Sequence, residues 1–395
     1  MKKRLLFDEI LKYISHKNAL IITGMRQVGK TTLMKQIFEE LEDKPKVWFD
    51  LDNPLDQKIF EDVEYKNIYL RLAEMAGGKD ERLYVFIDEI QNYPLITKVI
   101  KYLIDHYSVK FILSGSSNFY LKSFFPESLS GRKFLYYLPP MSFTEYLYFK
   151  DKIGRENAGQ RDIEARIQQK NFFDFKKFEV DYEGYMQFGG FPEIVTTENA
   201  DTKTLVLKNI FASFFEKDLK ILSDYKDIRE LRDLILLLVP RVGSLLDVTK
   251  IASELGVDRP KIYSYLTFLQ GTFFIRLLPK FSKSFDRSIA GGRKVYFTDN
   301  GIVNVIGRIN DAQMFENAVI NQLSCYGEVS FYHKRNIAEI DAILDDQFAF
   351  EIKLTGTDSD YKKLARLADG IAIKKIYVVS KVYSDKPGFI EAALL

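Results

Sequence analysis

The chain has a single cysteine, Cys325, among 395 residues. An internal disulfide framework is therefore excluded, and a reducing compartment such as the cytoplasm is expected. Long apolar runs are also missing. The longest aliphatic stretch, Leu234 to Val239, ends at Pro240 and Arg241, well short of the ~18 residues of a membrane helix. The basic start Met1-Lys2-Lys3-Arg4 leads into no apolar core, so neither a secretory signal nor a membrane partner is expected. What remains is 46% hydrophobic and 28% charged residues, a globular composition with length for two to four domains. The net charge of +2 singles out no partner, but its distribution is uneven. Arg241 to Arg308 holds 11 Lys/Arg against 5 Asp/Glu, a balance of +6, and Asp311 to Leu395 holds 10 against 13, a balance of −3. Only the first of these segments is suited to a polyanion.

The most specific pattern is Gly24-Met25-Arg26-Gln27-Val28-Gly29-Lys30-Thr31. It follows the strand-like run Ala19 to Ile22 and opens onto a helix-like run from Thr32 to Leu41. In that context G-x-x-x-x-G-K-[ST] predicts a phosphate-binding loop. Gly24 and Gly29 free the backbone so that N–H groups converge on an anion, and the helix start adds its positive end. ATP is the expected ligand, bound by Gly24, Arg26, Gln27, Val28, Gly29, Lys30, Thr31 and Thr32. Lys30 reaches the β- and γ-phosphates, and the Thr31 hydroxyl binds Mg²⁺.

A second apolar run, Tyr84 to Ile87, ends in Asp88-Glu89. Carboxylates at the C-terminal edge of a buried parallel strand sit where ligands bind in open α/β sheets. Asp88 is expected to hold Mg²⁺ through water, and Glu89 to polarise the attacking water as general base. Lys46 to Phe49, ending in Asp50 and Asp52, and Phe111 to Leu113, ending in Ser114 to Asn118, fit the same sheet. Ser116 and Asn118 are candidates for sensing the γ-phosphate, with loop capping as the equal alternative.

With these motifs in place the chain resembles the AAA-type ATPases of archaea and bacteria that carry a C-terminal domain of unknown function. Five segments carry the likeness: Gly24 to Thr32, Ile87 to Gln91, Ser128 to Arg132, Pro140 to Glu145 and Gly189-Gly190-Phe191-Pro192. The resemblance implies an AAA-like fold, ATP with Mg²⁺, a helical lid around the Gly-Gly-Phe-Pro segment, and Arg132 as an arginine finger or sensor. It leaves open whether Arg132 acts in cis or, within a homo-oligomer, in trans.

Further along, Thr249 to Leu255, Gly256-Val257-Asp258 and Arg259 to Leu269 form a helix, a glycine-containing turn and a second helix. The runs Phe273 to Leu278 and Lys294 to Phe297 complete the pattern of a winged helix. Arg259, Lys261, Lys283, Arg293 and Lys294 are its candidate DNA contacts. Such modules also serve as packing units, and the pattern fits both roles. In the last block, Glu339 to Leu344 and Phe348 to Leu354 read as a hairpin turning at Asp345-Asp346-Gln347. Glu351 and Lys353 share one strand face, with Asp341 on the partner strand. This arrangement resembles the PD-(D/E)XK nuclease fold. It implies Asp341 and Glu351 as Mg²⁺ ligands, Glu316 completing the site, and Lys353 orienting the nucleophile.

The expected fold class is α/β: a P-loop NTPase parallel sheet with helices on both faces, then a helical lid, a winged helix and a small α/β nuclease-like domain. Their expected bounds are 1–148, 149–240, 241–310 and 311–395. The expected function is Mg²⁺-dependent ATP hydrolysis coupled to action on DNA. The alternative is a nucleotide-dependent switch that recruits protein partners and carries an inactive nuclease-like fold.

Overall fold

The computed structural model describes residues 1–78, 81–115, 129, 131–218, 225–282, 291–334 and 338–395. They gather into two compact units: Met1–Pro139 with Gly271–Phe273, and Pro140–Gln270 with Phe274–Leu395. Among the described residues no helix is long and apolar enough to cross a membrane.

The first unit is built on a parallel sheet of β1 (Ala19–Thr23), β2 (Lys46–Asp50), β3 (Tyr84–Asp88), β4 (Lys110–Gly115) and β5 (Lys133–Tyr137), in the order β2-β3-β4-β1-β5. Strands β1, β3 and β4 are buried along their whole length. Their runs are therefore continuously apolar rather than alternating. Strand β5 was not foreseen. It is an edge strand of mostly half-exposed residues, Lys133-Phe134-Leu135-Tyr136-Tyr137, and its run shows no alternation of polar and apolar positions. All five strands run the same way, so Thr23, Asp50, Asp88 and Gly115 end at one edge. The buried base of the unit is tied by Lys110, whose ammonium donates to the carbonyls of Tyr13, His16 and Asn18 at 3.0, 2.8 and 2.7 Å.

The second unit contains the helices Phe143–Phe149, Phe172–Phe188, Tyr225–Leu238, Val248–Leu255 and Arg259–Gly271, then the antiparallel ribbon β6 (Ile275–Pro279) and β7 (Arg293–Phe297). The helix Asp311–Leu323 precedes a second sheet, β8 (Val329–Lys334), β9 (Ala338–Leu344), β10 (Phe348–Lys353), β11 (Lys375–Ser380) and β12 (Phe389–Glu391), ordered β12-β11-β10-β9-β8. Strands β9 and β10 are antiparallel and meet at Asp345 and Asp346, both with positive φ, where the Gln347 N–H donates to the Leu344 carbonyl at 3.0 Å.

Two of the sequence motifs converge in this unit. The Gly190 N–H donates to the Asp299 carboxylate at 2.7 Å, and the Gly190 carbonyl accepts from Met141 N–H at 2.7 Å. The Tyr185 hydroxyl donates to the Met141 carbonyl at 3.0 Å, and Ser142 caps the helix that begins at Phe143. Pro140 to Glu145 and Gly189 to Pro192 are thus one knot, tied by a buried carboxylate that also caps the helix Asn300–Ile306. Burial raises the Asp299 pKa from 3.8 to about 6, against the lowering effect of its backbone N–H partners. A carboxylic acid with a raised folded pKa stabilises the fold fully below its unfolded pKa, and this contribution is lost as pH climbs through the folded pKa. A rise of this size is worth about 3 kcal/mol. Urea unfolding between pH 4 and 7 should therefore show this loss in the wild type, and Asp299→Asn should flatten that part of the profile. An unchanged slope in the variant would show that Asp299 does not titrate there.

Candidate functional site

The loop between β1 and the helix Lys30–Glu40 carries the backbone its glycines predict. Gly29 has φ +94° and Gln27 φ +62°. A Cβ on Gly24 would overlap the Leu138 carbonyl oxygen, so only glycine fits there. Lys30 is buried, and its ammonium donates to the carbonyls of Gly24 at 3.1 Å and Met25 at 2.7 Å. Val28 is buried in the loop, Arg26 and Gly29 are half-buried, Gln27 is exposed, and Thr31 and Thr32 are half-buried on the first helical turn. Arg4, which in the sequence is only the end of a basic start, is buried and donates to the Val28 carbonyl at 2.7 Å and the Pro139 carbonyl at 2.9 Å. It pins the back of the loop.

Asp88 is buried at the end of β3, where it accepts from the Ser114 hydroxyl and from Glu89 N–H, the latter at 3.2 Å. The same Glu89 N–H lies 3.3 Å from Ser114 Oγ. Glu89 adopts φ +54°, ψ +47°, a left-handed conformation that costs a non-glycine residue on the order of 1 kcal/mol or more and clusters at functional sites. Its carboxylate accepts from the Gln91 amide. Ser114 was passed over in favour of Ser116 and Asn118, which lie outside the described residues. Asp50 is paired in register with Asp88. Burial raises its pKa, and the fields of Asp88, Asp52 and Asp56 add to this. The Thr31 hydroxyl and the Asp88 carboxylate are hard oxygen donors, the set Mg²⁺ takes together with phosphate oxygens and water.

Arg132 lies elsewhere. Its carbonyl accepts from Ala19 N–H at the start of β1, and its guanidinium is ion-paired with Asp105 at 2.6 Å. It therefore sits at the N-terminal edge of the sheet, whereas Lys30, Asp88 and Glu89 lie at the C-terminal edge. Five residues of strand separate these edges, about 16 Å.

Residues 16–147 match the family model of an AAA domain, and residues 179–313 match a domain of unknown function (DUF8612). Residues 16–147, most of which lie in the first unit, are thus similar to AAA domains. Similar proteins include an uncharacterised protein of Haemophilus influenzae, 27% identical over 92% of this chain and 89% of that one. Another is the uncharacterised protein MJ1544 of Methanocaldococcus jannaschii, 24% identical over 96% of this chain and 85% of its own length. Among solved structures, the Walker-type ATPase PABY2304 of Pyrococcus abyssi aligns with 76% of this chain and 94% of its own, at 15% identity and a TM-score of 0.44. The Aeropyrum pernix ORC1 protein, solved in complex with DNA, aligns with 76% of this chain and 90% of its own, at 11% identity and a TM-score of 0.32. Both scores are low, and the domain match carries the likeness.

Beyond the AAA-type domain, a second polar constellation occupies β9 and β10. Lys353 Nζ lies 3.2 Å from Asp341 and 3.0 Å from Glu351, and the Ile352 N–H donates to Asp341 at 2.8 Å. Glu351 is only 1% exposed; its Oε1 also accepts from Lys363 at 3.1 Å, while Oε2 is buried with no hydrogen-bond partner. Burial raises the Glu351 pKa and the Asp341 charge adds to this, with Lys353 partly offsetting both. Glu316, on the helix Asp311–Leu323, accepts from the Tyr296 hydroxyl at 2.6 Å. Burial pushes its pKa to about 7, with the Asp341 field adding. The sequence thus brought Asp341, Glu351, Lys353 and Glu316 into one region. Yet among the described residues no group of three or more His, Cys, Asp or Glu is arranged to hold a metal ion. Each of these carboxylates faces a lysine: Glu316 faces Lys294, and Asp341 and Glu351 face Lys353. The orphaned Glu351 oxygen and the all-oxygen donor set are compatible with Mg²⁺.

The candidate DNA contacts divide. Arg259 is exposed at the start of its helix, on a face with Tyr263, Ser264, Thr267 and Gln270; Arg293 is half-buried, and Lys283 lies outside the described residues. Lys261 and Lys294 require correction. Lys261 is paired at 2.7 Å with both Asp227 and Glu230. Lys294 is 3% exposed and paired with Glu316 and Glu339. Charge counts along a sequence cannot see that both cations are already ion-paired, Lys294 inside the fold and Lys261 half-buried at its surface.

Proposed function

We propose that the chain is a Mg²⁺-dependent ATPase whose nucleotide cycle drives a DNA-associated action of the second unit, read as a helical lid, a winged helix and a nuclease-like domain. The observation that carries the ATPase reading is the shared sheet edge, with Lys30 held in its loop beside an Asp88–Glu89 pair that Ser114 orders. Lys30 meets the β- and γ-phosphates, Thr31 and Asp88 would hold the metal, and Glu89 takes the proton of the attacking water. Mg²⁺, when bound, offsets charge on the phosphate oxygens. Arg132, on the far edge, serves a neighbouring protomer's phosphate if it serves as a finger, which makes a homo-oligomer part of this proposal. Calorimetry with ATP tests the first step: Lys30→Ala should abolish measurable binding, and retained affinity would remove the reading.

The exposed polar face Arg259-Tyr263-Ser264-Thr267 supports the DNA part. Duplex binding should weaken with rising salt, and Arg259→Ala should cost about 1–3 kcal/mol, read as a rise in Kd of about fivefold to 150-fold by fluorescence anisotropy. Equal affinity in wild type and variant would leave this face without a DNA role. The pairing of Lys353 with both carboxylates favours a second reading, a nucleotide-dependent switch that recruits protein partners through an inactive nuclease-like fold. Incubating DNA with the protein and Mn²⁺ separates the two. Cleavage lost in Asp341→Ala supports the nuclease, and intact DNA supports the switch.

A further inference from the structure

Strand β7 of the ribbon reaches into the acidic constellation of the second sheet. Lys294 on β7 is almost fully buried, yet its ammonium is 3.7 Å from Glu316 on the helix Asp311–Leu323 and in direct contact with Glu339 on β9. Two residues on, the Tyr296 hydroxyl donates to the same Glu316 at 2.6 Å. Lys294 Nζ also lies 5.5 Å from the Phe331 ring on β8. The ribbon is fastened to this sheet a second time, where Phe281 N–H donates to the Phe331 carbonyl at 2.6 Å and Phe281 joins the sheet's buried cluster. Burying an ammonium is expensive unless carboxylates repay it. Here Glu316 and Glu339 supply those carboxylates. One end of the constellation is thus filled by a cation of the protein's own, and the other end holds Glu351, whose buried Oε2 is unpartnered.

We infer that Lys294 is an internal counter-ion standing in for a divalent metal, so that its ammonium competes with one for the carboxylates of Glu316, Asp341 and Glu351. This rests on the proposed metal-binding role of those carboxylates. Glu316 is engaged by Lys294 and Tyr296 and is unavailable as a ligand. With Lys294 withdrawn, Glu316 and Glu339 lose their neutralising charge, and a hard divalent cation is the natural replacement.

The test uses the full chain, free of nucleotide and stripped with EDTA, with Mn²⁺ as probe by paramagnetic resonance and by thermal melting. Lys294→Met should bind one Mn²⁺ at least tenfold more tightly than wild type and gain a Mn²⁺-dependent rise in Tm that the wild type lacks. Lys294→Gln keeps hydrogen-bond donors for both carboxylates, so it guards against misfolding and should show the same gain in smaller measure. Lys294→Arg should behave as wild type. Adding Asp341→Asn should remove the gain, which separates this site from the phosphate loop. If Asp341→Asn weakens Mn²⁺ binding equally with Lys294 present or replaced, the metal site stands and the counter-ion role is overturned. If no variant shows Asp341-dependent Mn²⁺ binding, both the inference and the metal site beneath it fall.

Discussion

Glu89→Gln is expected to lower ATP turnover by about 10²–10⁴-fold while leaving ATP affinity within a few-fold of wild type. This is the range that one positioned general base supplies. The amide keeps the size of the side chain and removes its basicity. The local fold should survive, because Glu89 is placed by its backbone: its N–H is held by Asp88 and Ser114, and its left-handed conformation is set between β3 and the turn at Ile90–Asn92. The side-chain partner, Gln91, can reorient to an amide oxygen as readily as to a carboxylate. Single-turnover hydrolysis beside equilibrium nucleotide binding makes the distinction. A parallel loss of both would mean that Glu89 holds the loop together, and unchanged turnover would place the base elsewhere.

Gly190→Ala should cost the fold about 3 kcal/mol or more, at the upper end for overpacking a tight site. A Cβ there would overlap the Met141 carbonyl oxygen and lie 2.9 Å from its nitrogen. These are backbone atoms and cannot swing aside as a side chain would. Opening the gap also breaks the Met141–Gly190 hydrogen bond and draws Gly190 N–H from Asp299. Gly154→Ala is the matched control, since no atom lies within 4 Å of its added Cβ. Urea midpoints should fall sharply in the first variant and hardly move in the second. Equal midpoints would mean that the knot yields without cost.

What could be read in advance was what is local in the chain. The loop from Gly24 to Thr31 and the run into Asp88-Glu89 encode both their strand and their chemistry within a few residues. The hairpin at Asp345-Asp346 was legible for the same reason, and alternation placed Glu351 and Lys353 on one face opposite Asp341. Relations set by the third dimension were not legible. Strand β5 shows no alternation of polar and apolar residues that would mark a half-buried edge strand, and only with β5 in place does Arg132 fall at the N-terminal edge of the sheet. Arg4 and Ser114 act through hydrogen bonds to residues 24 and 26 positions away, and no spacing rule marks them. Lys294 shows the limit most clearly. In a segment of net positive charge it reads as a phosphate contact, yet burial makes it a counter-ion.

The central claim is that the edge holding Lys30, Thr31, Asp88 and Glu89 hydrolyses ATP with Mg²⁺. The most direct measurement is ADP formation by the purified full chain, with Mg²⁺ and with excess EDTA, beside a Lys30→Ala preparation of equal folded content. The account predicts ADP formation that requires Mg²⁺ and disappears in the variant. Hydrolysis that persists in Lys30→Ala, or none in a wild-type protein that binds Mg²⁺ and ATP, would contradict it.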